Sequence, residues 1–426
     1  MRRMGGNHRR GVVVVIAAGV FAAACSTRPD QSPQAEHSQT TTAKTRSSAS
    51  AEATPSSDSS PLAALVGAAD PENGSPEPWP LEPPPADWRT HASTDIPVVA
   101  SLTEVVAVQE PHGDYESVGT VESVTPEIVS YLFSVRSGSL DGVTANRARR
   151  TVARRDIEDA HGYRMTFASA DPESFPGQTA VGISSAVFRE LQDHGRSRID
   201  LYASTGVAAA VATILSAFGA ESPGLNGELA RVESERVGVP VLVNGRRVWL
   251  PALHAKGDFK SIDDVVRAEF WFLADARNPM TLRAAVDHAR LQVVRIDFPA
   301  EETASALERA LTNGQPVEIW GVYFEFASAQ LQPESNIVLD QVASVLRRHP
   351  DWRLRIDGHT DDVGNESNNL RLSRERAEAV RAALVQRLGH DGGKLEASGY
   401  GKSQPRESNA TLSGRARNRR VELTRH

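Results

Sequence analysis

The 426-residue chain has one cysteine, no excess of basic charge and no long apolar run. A single cysteine, Cys25, excludes an internal disulfide framework and any zinc site built from cysteines. With 47 Lys and Arg against 54 Asp and Glu, the net charge of -7 argues against a general nucleic-acid binder, which would be basic. Residues 11–24 and 206–218 are apolar, but each segment is too short to span about 30 Å of hydrocarbon at about 1.5 Å per residue. The remaining composition, 40% hydrophobic and 24% charged, is typical of a globular protein of two or three domains.

The first segment has the pattern of a secretory signal. Residues 1–10 carry four arginines and no acid, and the apolar residues 11–24 lead directly to Cys25. The sequence AAAC that ends at Cys25 resembles the lipobox of bacterial lipoproteins, with Ala22 in place of the usual leucine. That resemblance implies a signal peptide over 1–24, acylation (palmitate) of Cys25, and, since Ser26 follows, the outer membrane facing the periplasm. The alternative is an ordinary signal peptide with an incidental cysteine.

Residues 25–95 are predicted to be a lipidated cysteine followed by a disordered linker. The stretch is rich in Ser, Thr, Pro and Ala, so it has too little apolar surface to offset the entropy of ordering. Roughly 70 flexible residues span about 45–50 Å on average. This length suits a tether between a membrane and a neighbouring layer.

Residues 96–316 are predicted to form a mixed α+β module. Asn244-Gly245 joins two runs of alternating apolar residues, which is a strong hairpin signal. A further strand is expected at 267–273, and helices at 187–191, 207–218 and 303–311.

Little chemistry can be assigned within this module. Ser184 lies in GISSA, which lacks the second glycine of a nucleophile elbow, so a structural serine is the better interpretation. His161 and His254 stand outside any metal-binding spacing, and a solvated face explains Glu233 and Glu235. The role of the module stays open: it is an interaction or sensory unit, or, less favoured, an unrecognised enzyme.

Residues 317–426 are predicted to be a two-layer α/β domain, with helices packed on a small mixed sheet. The expected order is strand, helix, strand, helix and two closing strands, at 322–326, 333–348, 352–357, 366–388, 395–399 and 420–424.

The second of these helices carries a charge in its apolar stripe. Leu372, Val380, Leu384 and Leu388 recur at multiples of four, and Arg376 lies midway among them. A buried guanidinium needs a partner, and the Asp361-Asp362 pair in the preceding turn is the nearest supply in the chain. Either the two groups form an internal salt bridge, or they form a polar pocket that is left partly free for a ligand.

Four separated motifs in this module resemble the OmpA C-terminal-like domain, the peptidoglycan-binding module of OmpA, Pal and MotB. They are GHTDDVG (358–364), NLRLSRERA (369–377), GYG (399–401) and NATLSGRARNRRVEL (409–423). The resemblance implies that Asp361 and Arg376 bind the diaminopimelate of the peptidoglycan stem peptide. It further implies that Thr360, Asn369 and Leu372 line the pocket, with Phe324 at its mouth.

Other residues of the motifs are assigned weaker roles or depart from the family. Arg415, Arg419 and Arg420 are expected to brace the fold or touch glycan. Asp362 adds a carboxylate where many relatives have asparagine, and the loop at 389–394 is short.

Together these features predict a lipoprotein that tethers the envelope to the wall without a cofactor, a metal or catalysis. Weak attachments at both ends of a tether reinforce each other. A motor-stator role is not expected, because motor-stator proteins need a membrane-spanning helix and both apolar segments of this sequence are too short to form one.

Overall fold

The computed structural model describes residues 81–91, 95–109, 115–134, 147–167, 172–203, 224–260, 265–287, 289–298, 303–325, 327–389 and 394–426. The expected signal peptide, Cys25, most of the linker and the apolar segment 206–218 lie outside these residues. No helix in the described ranges is long and apolar enough to cross a membrane.

The middle module is built mainly from strands. Its elements are α1 (Trp88–His91), β1 (Thr103–Gln109), β2 (Tyr115–Val124), β3 (Ile128–Ser134), β4 (Arg147–Ala153), α2 (Arg154–Asp159), β5 (Gly162–Arg164), β6 (Glu173–Ser174), β7 (Gln178–Thr179), α3 (Ser185–Asp193), β8 (Arg196–Tyr202), β9 (Leu225–Arg231), β10 (Val237–Val243), β11 (Arg246–Lys260), β12 (Val265–Leu273), β13 (Thr281–Val286) and β14 (Ala289–Asp297). The strands form one sheet in the order β6-β4-β3-β2-β1-β14-β13-β12-β11-β9-β8-β5-β7, and β10 pairs with both β11 and β14.

The predicted hairpin at Asn244-Gly245 is confirmed. Val243 pairs with Arg246 in the antiparallel ladder of β10 and β11. Asn244 and Gly245 have φ angles of 44° and 73°, the positive values that a two-residue hairpin turn of this type requires. The expected strand at 267–273 lies within β12, and the expected helix at 187–191 lies within α3.

The terminal module is the predicted α/β domain. Its elements are α4 (Thr303–Thr312), β15 (Val317–Glu318), a 3₁₀ turn (Pro333–Ser335), α5 (Asn336–Arg348), β16 (Leu354–Gly358), α6 (Glu366–Leu388), β17 (Leu395–Gly399), α7 (Leu412–Asn418) and β18 (Val421–Arg425). The sheet order is β15-β18-β16-β17, with β16 and β17 parallel and the other pairs antiparallel.

One expectation for this module was wrong. Of the strand expected at 322–326, the described residues 322–325 form no strand: Phe324 makes only an isolated bridge to Leu331, and both backbone polar groups of Tyr323 bond to the Ser335 hydroxyl. The helix expected at 303–311 lies within α4, and its buried side chains Leu307 and Leu311 lie in the terminal core.

The two modules share a small apolar cluster, here called the junction cluster. The middle module contributes Val105, Ala107, Val118, Leu242 and Val294, and the terminal module contributes Tyr323 and Ala416. The turn glycine Gly245 also meets the terminal module so closely that an added Cβ would lie 1.9 Å from the Trp320 ring. The modules therefore pack directly on each other.

Candidate functional site

The site lies where strands β16 and β17 end against the first turns of helix α6. A Cβ on Gly358 would lie 2.1 Å from the carbonyl oxygen of Ser373, and one on Gly399 would lie 2.4 Å from the backbone nitrogen of Arg374. Only glycine allows this approach. The contact brings the turn after β16 beside the face of α6 that carries Arg376.

The turn after β16 is held by its own side chains. Thr360 donates its hydroxyl hydrogen to the Asp361 carbonyl (2.9 Å), and Asp361 accepts a hydrogen bond from the Val363 N–H (3.1 Å). The Asn369 amide donates to the Val363 carbonyl (2.9 Å). Thr360, Asp361 and Asn369 are all buried, whereas Asp362 is exposed.

Arg376 is half-buried and only partly bonded. Its Nε donates to the Ser328 carbonyl (2.9 Å), and its guanidinium carbon lies 4.9 Å from the centre of the Phe324 ring. Among the described residues, its terminal nitrogens make no hydrogen bond. Burial lowers the pKa of Arg376 to about 10, and the negative charge of Glu116 is the largest effect that opposes this lowering. The guanidinium therefore stays protonated at neutral pH.

The ion-pair partner of Asp361 is Arg419, not Arg376. One terminal nitrogen of Arg419 bonds to an Asp361 oxygen, and its Nε and other terminal nitrogen bond to the two carboxylate oxygens of Glu116, the former at 3.1 Å. Burial lowers the pKa of Arg419, but the charges of Glu116 and Asp361 outweigh it and hold the pKa above its ordinary value. Arg419 therefore links the turn after β16 to the middle module, and a contact of Arg419 with glycan stays a prediction.

Sequence reasoning named Arg419 only as a residue that braces the fold or touches glycan, and it missed Glu116 altogether. Arg419 lies in the last of the four motifs, so the chain contained a signal for it. Glu116 lies in β2 of the middle module, 303 residues from Arg419, and nothing in its surroundings in the chain marks it.

A cavity of about 30 Å³ lies beside these side chains. It is lined by Phe324, Arg376 and Arg419, and also by Arg295, Glu318, Ile319, Val322, His359, Arg420 and Val421. Asp361, Thr360, Asn369 and Leu372 do not line it, although Leu372 lies half-buried one turn before Arg376. This volume has room for about one or two water molecules.

His359 adds no charge to the site at neutral pH. The imidazole is buried and stacks on Tyr400, with the ring centres 5.2 Å apart. Burial, followed by the charge of Arg420, lowers the pKa of His359 to about 4. The polar lining of the cavity is therefore four arginines, the neutral histidine and Glu318, whose pKa burial raises to about 7. The arginines outnumber the one carboxylate, which suits an anionic ligand group.

The polar residues singled out in the middle module have structural partners. The Ser184 hydroxyl accepts a hydrogen bond from the Val187 N–H and caps α3. His254 bonds to the carboxylates of Glu233 (2.8 Å) and Glu269 (2.7 Å). Across the described part of the chain, no cluster of three or more His, Cys, Asp or Glu could hold a metal ion.

Residues 323–419 match the model of the OmpA family. The chain is 42% identical over 101 residues to outer membrane porin F of Pseudomonas aeruginosa, and the matched region is 24% of this chain and 29% of that protein. It is 39% identical over 125 residues to the peptidoglycan-binding protein ArfA of Mycobacterium tuberculosis, and that matched region is 29% of this chain and 36% of that protein. A solved structure, the peptidoglycan-associated lipoprotein from Burkholderia pseudomallei, is 38% identical over 25% of this chain and 88% of that one, with a TM-score of 0.23. The chain spans about a third of the length of these two curated relatives.

Proposed function

Because residues 323–419 form an OmpA family domain, we propose that the protein binds peptidoglycan without cleaving it, through the diaminopimelate of the stem peptide. The observation that carries the proposal is Arg376: a guanidinium fixed by Ser328 and Phe324, with its terminal nitrogens left for a ligand. The relatives are outer-membrane and peptidoglycan-associated proteins by name.

The chemistry of diaminopimelate fits this arrangement. Its side chain ends in an ammonium beside a carboxylate. The planar fork of Arg376 suits a carboxylate, and Asp361, which is buried nearby, supplies acceptor oxygens for the ammonium. A lysine-type stem peptide lacks that carboxylate, so Arg376 would remain without a partner and binding would weaken.

The tether and the lipid belong to the same proposal. Acylation of Cys25 would hold one end of the chain in the outer membrane, while the terminal module binds the wall. The linker of roughly 70 residues would raise the effective concentration of the module at the wall. The protein would then link the two layers by two non-covalent attachments.

The test is sedimentation of the chain from Ser26 onward with purified peptidoglycan. Wild type is expected to sediment with diaminopimelate-type wall, and Arg376→Ala and Asp361→Ala are expected to lose at least about tenfold in affinity, as loss of a charge-assisted contact predicts. Arg374→Ala, which removes an exposed arginine two residues from Arg376, is the control and should bind as wild type does. Equal binding of lysine-type wall, or unchanged binding by Arg376→Ala, would contradict the proposal.

A further inference from the structure

We propose that the middle module holds the site closed, with the carboxylate of Glu116 bound to Arg419 beside Arg376, where it competes with the ligand's carboxylate for the arginines of the site. The inference rests on the proposed function, because it assigns a regulator to the same site. Peptidoglycan would then have to displace Glu116 in order to bind.

The first support is the geometry at Arg419. Glu116 bonds to two nitrogens of the Arg419 guanidinium, and Asp361 bonds to the third. A two-point contact between a carboxylate and a guanidinium is the contact that a diaminopimelate carboxylate would make. Asp361, the expected acceptor for the ligand's ammonium, is thereby occupied by Arg419.

The second support is the electrostatics and the space at Arg376. The carboxylate of Glu116 stabilises the charge of Arg376 more than Asp361 does. The cavity of about 30 Å³ next to Arg376 has room for one or two water molecules but is too small for an ammonium and a carboxylate on a peptide side chain. Binding therefore requires a side chain at the site to move, and Glu116 is half-exposed, with 33% of its side chain accessible.

The third support is that Glu116 is held in place from outside the terminal module. Its strand β2 contributes Val118 to the junction cluster, against Tyr323 and Ala416. The Tyr323 hydroxyl donates to Asp297 of β14, which ties the same surfaces together. The closed arrangement is thus part of the packing between the modules.

Glu116→Gln in the otherwise intact chain tests the inference. The substitution keeps the side-chain shape but removes the competing charge, so the affinity for a soluble diaminopimelate-containing muropeptide is expected to rise about tenfold. The matched control is Glu407→Gln. Glu407 also bonds to an arginine of the other module and has a similar exposure of 28%, but its carboxylate pairs with Arg247 and not with Arg419. Thermal unfolding of each variant checks that the fold is retained.

The outcomes separate this inference from the proposed function. Tighter binding by Glu116→Gln alone, abolished when Arg376→Ala is added, supports both. Unchanged or weaker binding by Glu116→Gln, or an equal gain in Glu407→Gln, overturns the closure by Glu116 but leaves the proposed function standing if Arg376→Ala still loses binding. If the muropeptide binds no variant, or binds Arg376→Ala as well as wild type, the proposed function fails and this inference fails with it.

Discussion

At the scale of single residues, Arg376 and Arg419 show how two arginines in one site acquire different roles. Arg419 has carboxylate partners on two sides, which hold its charge, whereas Arg376 has one backbone partner and one aromatic ring. An arginine with unused donors can contact a new anion directly, whereas an arginine already in an ion pair must first release its partner. Arg376 is therefore ready for the ligand, and Arg419 becomes available to it only when Glu116 leaves.

A pH-dependent prediction concerns Glu104 in β1. Burial raises the pKa of Glu104 to about 8, and one of its oxygens is buried without a hydrogen bond. Between pH 4.5 and 8 the unfolded chain is ionised at this group while the folded chain keeps its proton, so stability falls as the pH rises through this window. Glu104→Gln is expected to raise the free energy of unfolding at pH 8 by roughly 4 kcal/mol, with little change near pH 4.5.

Urea unfolding of wild type and Glu104→Gln at several pH values measures this difference. Glu122→Gln is the control, because Glu122 lies on the neighbouring strand in a partly exposed pair with Arg149. A stability difference that does not vary with pH would show that Glu104 is ionised in the folded protein.

At the scale of elements, helix α6 is positioned by local signals and by close contact. Asn365 caps its start by accepting a hydrogen bond from the Asn368 N–H (2.8 Å), and Gly389, at φ 70°, ends it. These local signals explain why the expected bounds, 366–388, are confirmed. The expectation of a strand at 322–326 was wrong for the described residues 322–325, because their apolar pattern does not reveal that the Ser335 hydroxyl bonds the Tyr323 backbone.

Gly399→Ala tests the contact between α6 and β17. The added methyl would lie 2.4 Å from the Arg374 backbone nitrogen, which cannot yield without shifting the helix. We expect a loss of about 2–3 kcal/mol in the free energy of unfolding, since overpacking costs this much, and weaker peptidoglycan binding because Arg376 moves with the helix. Ser398→Ala on the same strand is the control, and equal stability of the two variants would contradict this account.

At the scale of the whole molecule, the junction cluster makes the described modules one packed body. Leu242 of β10 is fully buried in this cluster, against side chains of both modules. A cavity at a shared core should weaken both sides of it.

Leu242→Ala is therefore expected to cost about 2–5 kcal/mol and to lower the unfolding midpoint of both modules together. Hydrogen exchange, followed in β12 for the middle module and in β16 for the terminal one, shows whether the substitution destabilises both modules or only one. Faster exchange confined to β12 would mean that the modules unfold independently.

The sequence by itself determined the features that depend on neighbouring residues. The α/β class of residues 317–426, the bounds of α6, the Asn244-Gly245 turn and the place of Arg376 in an apolar stripe all follow from periodicity, capping and turn chemistry. The tertiary structure alone decided the partners of the charges. Asp361 pairs with Arg419, and Arg419 pairs with Glu116 across 303 residues, because ion pairs form between groups that packing brings together. Packing between modules leaves no periodic pattern in the chain, so the ion pair between Glu116 and Arg419 could only be seen in three dimensions.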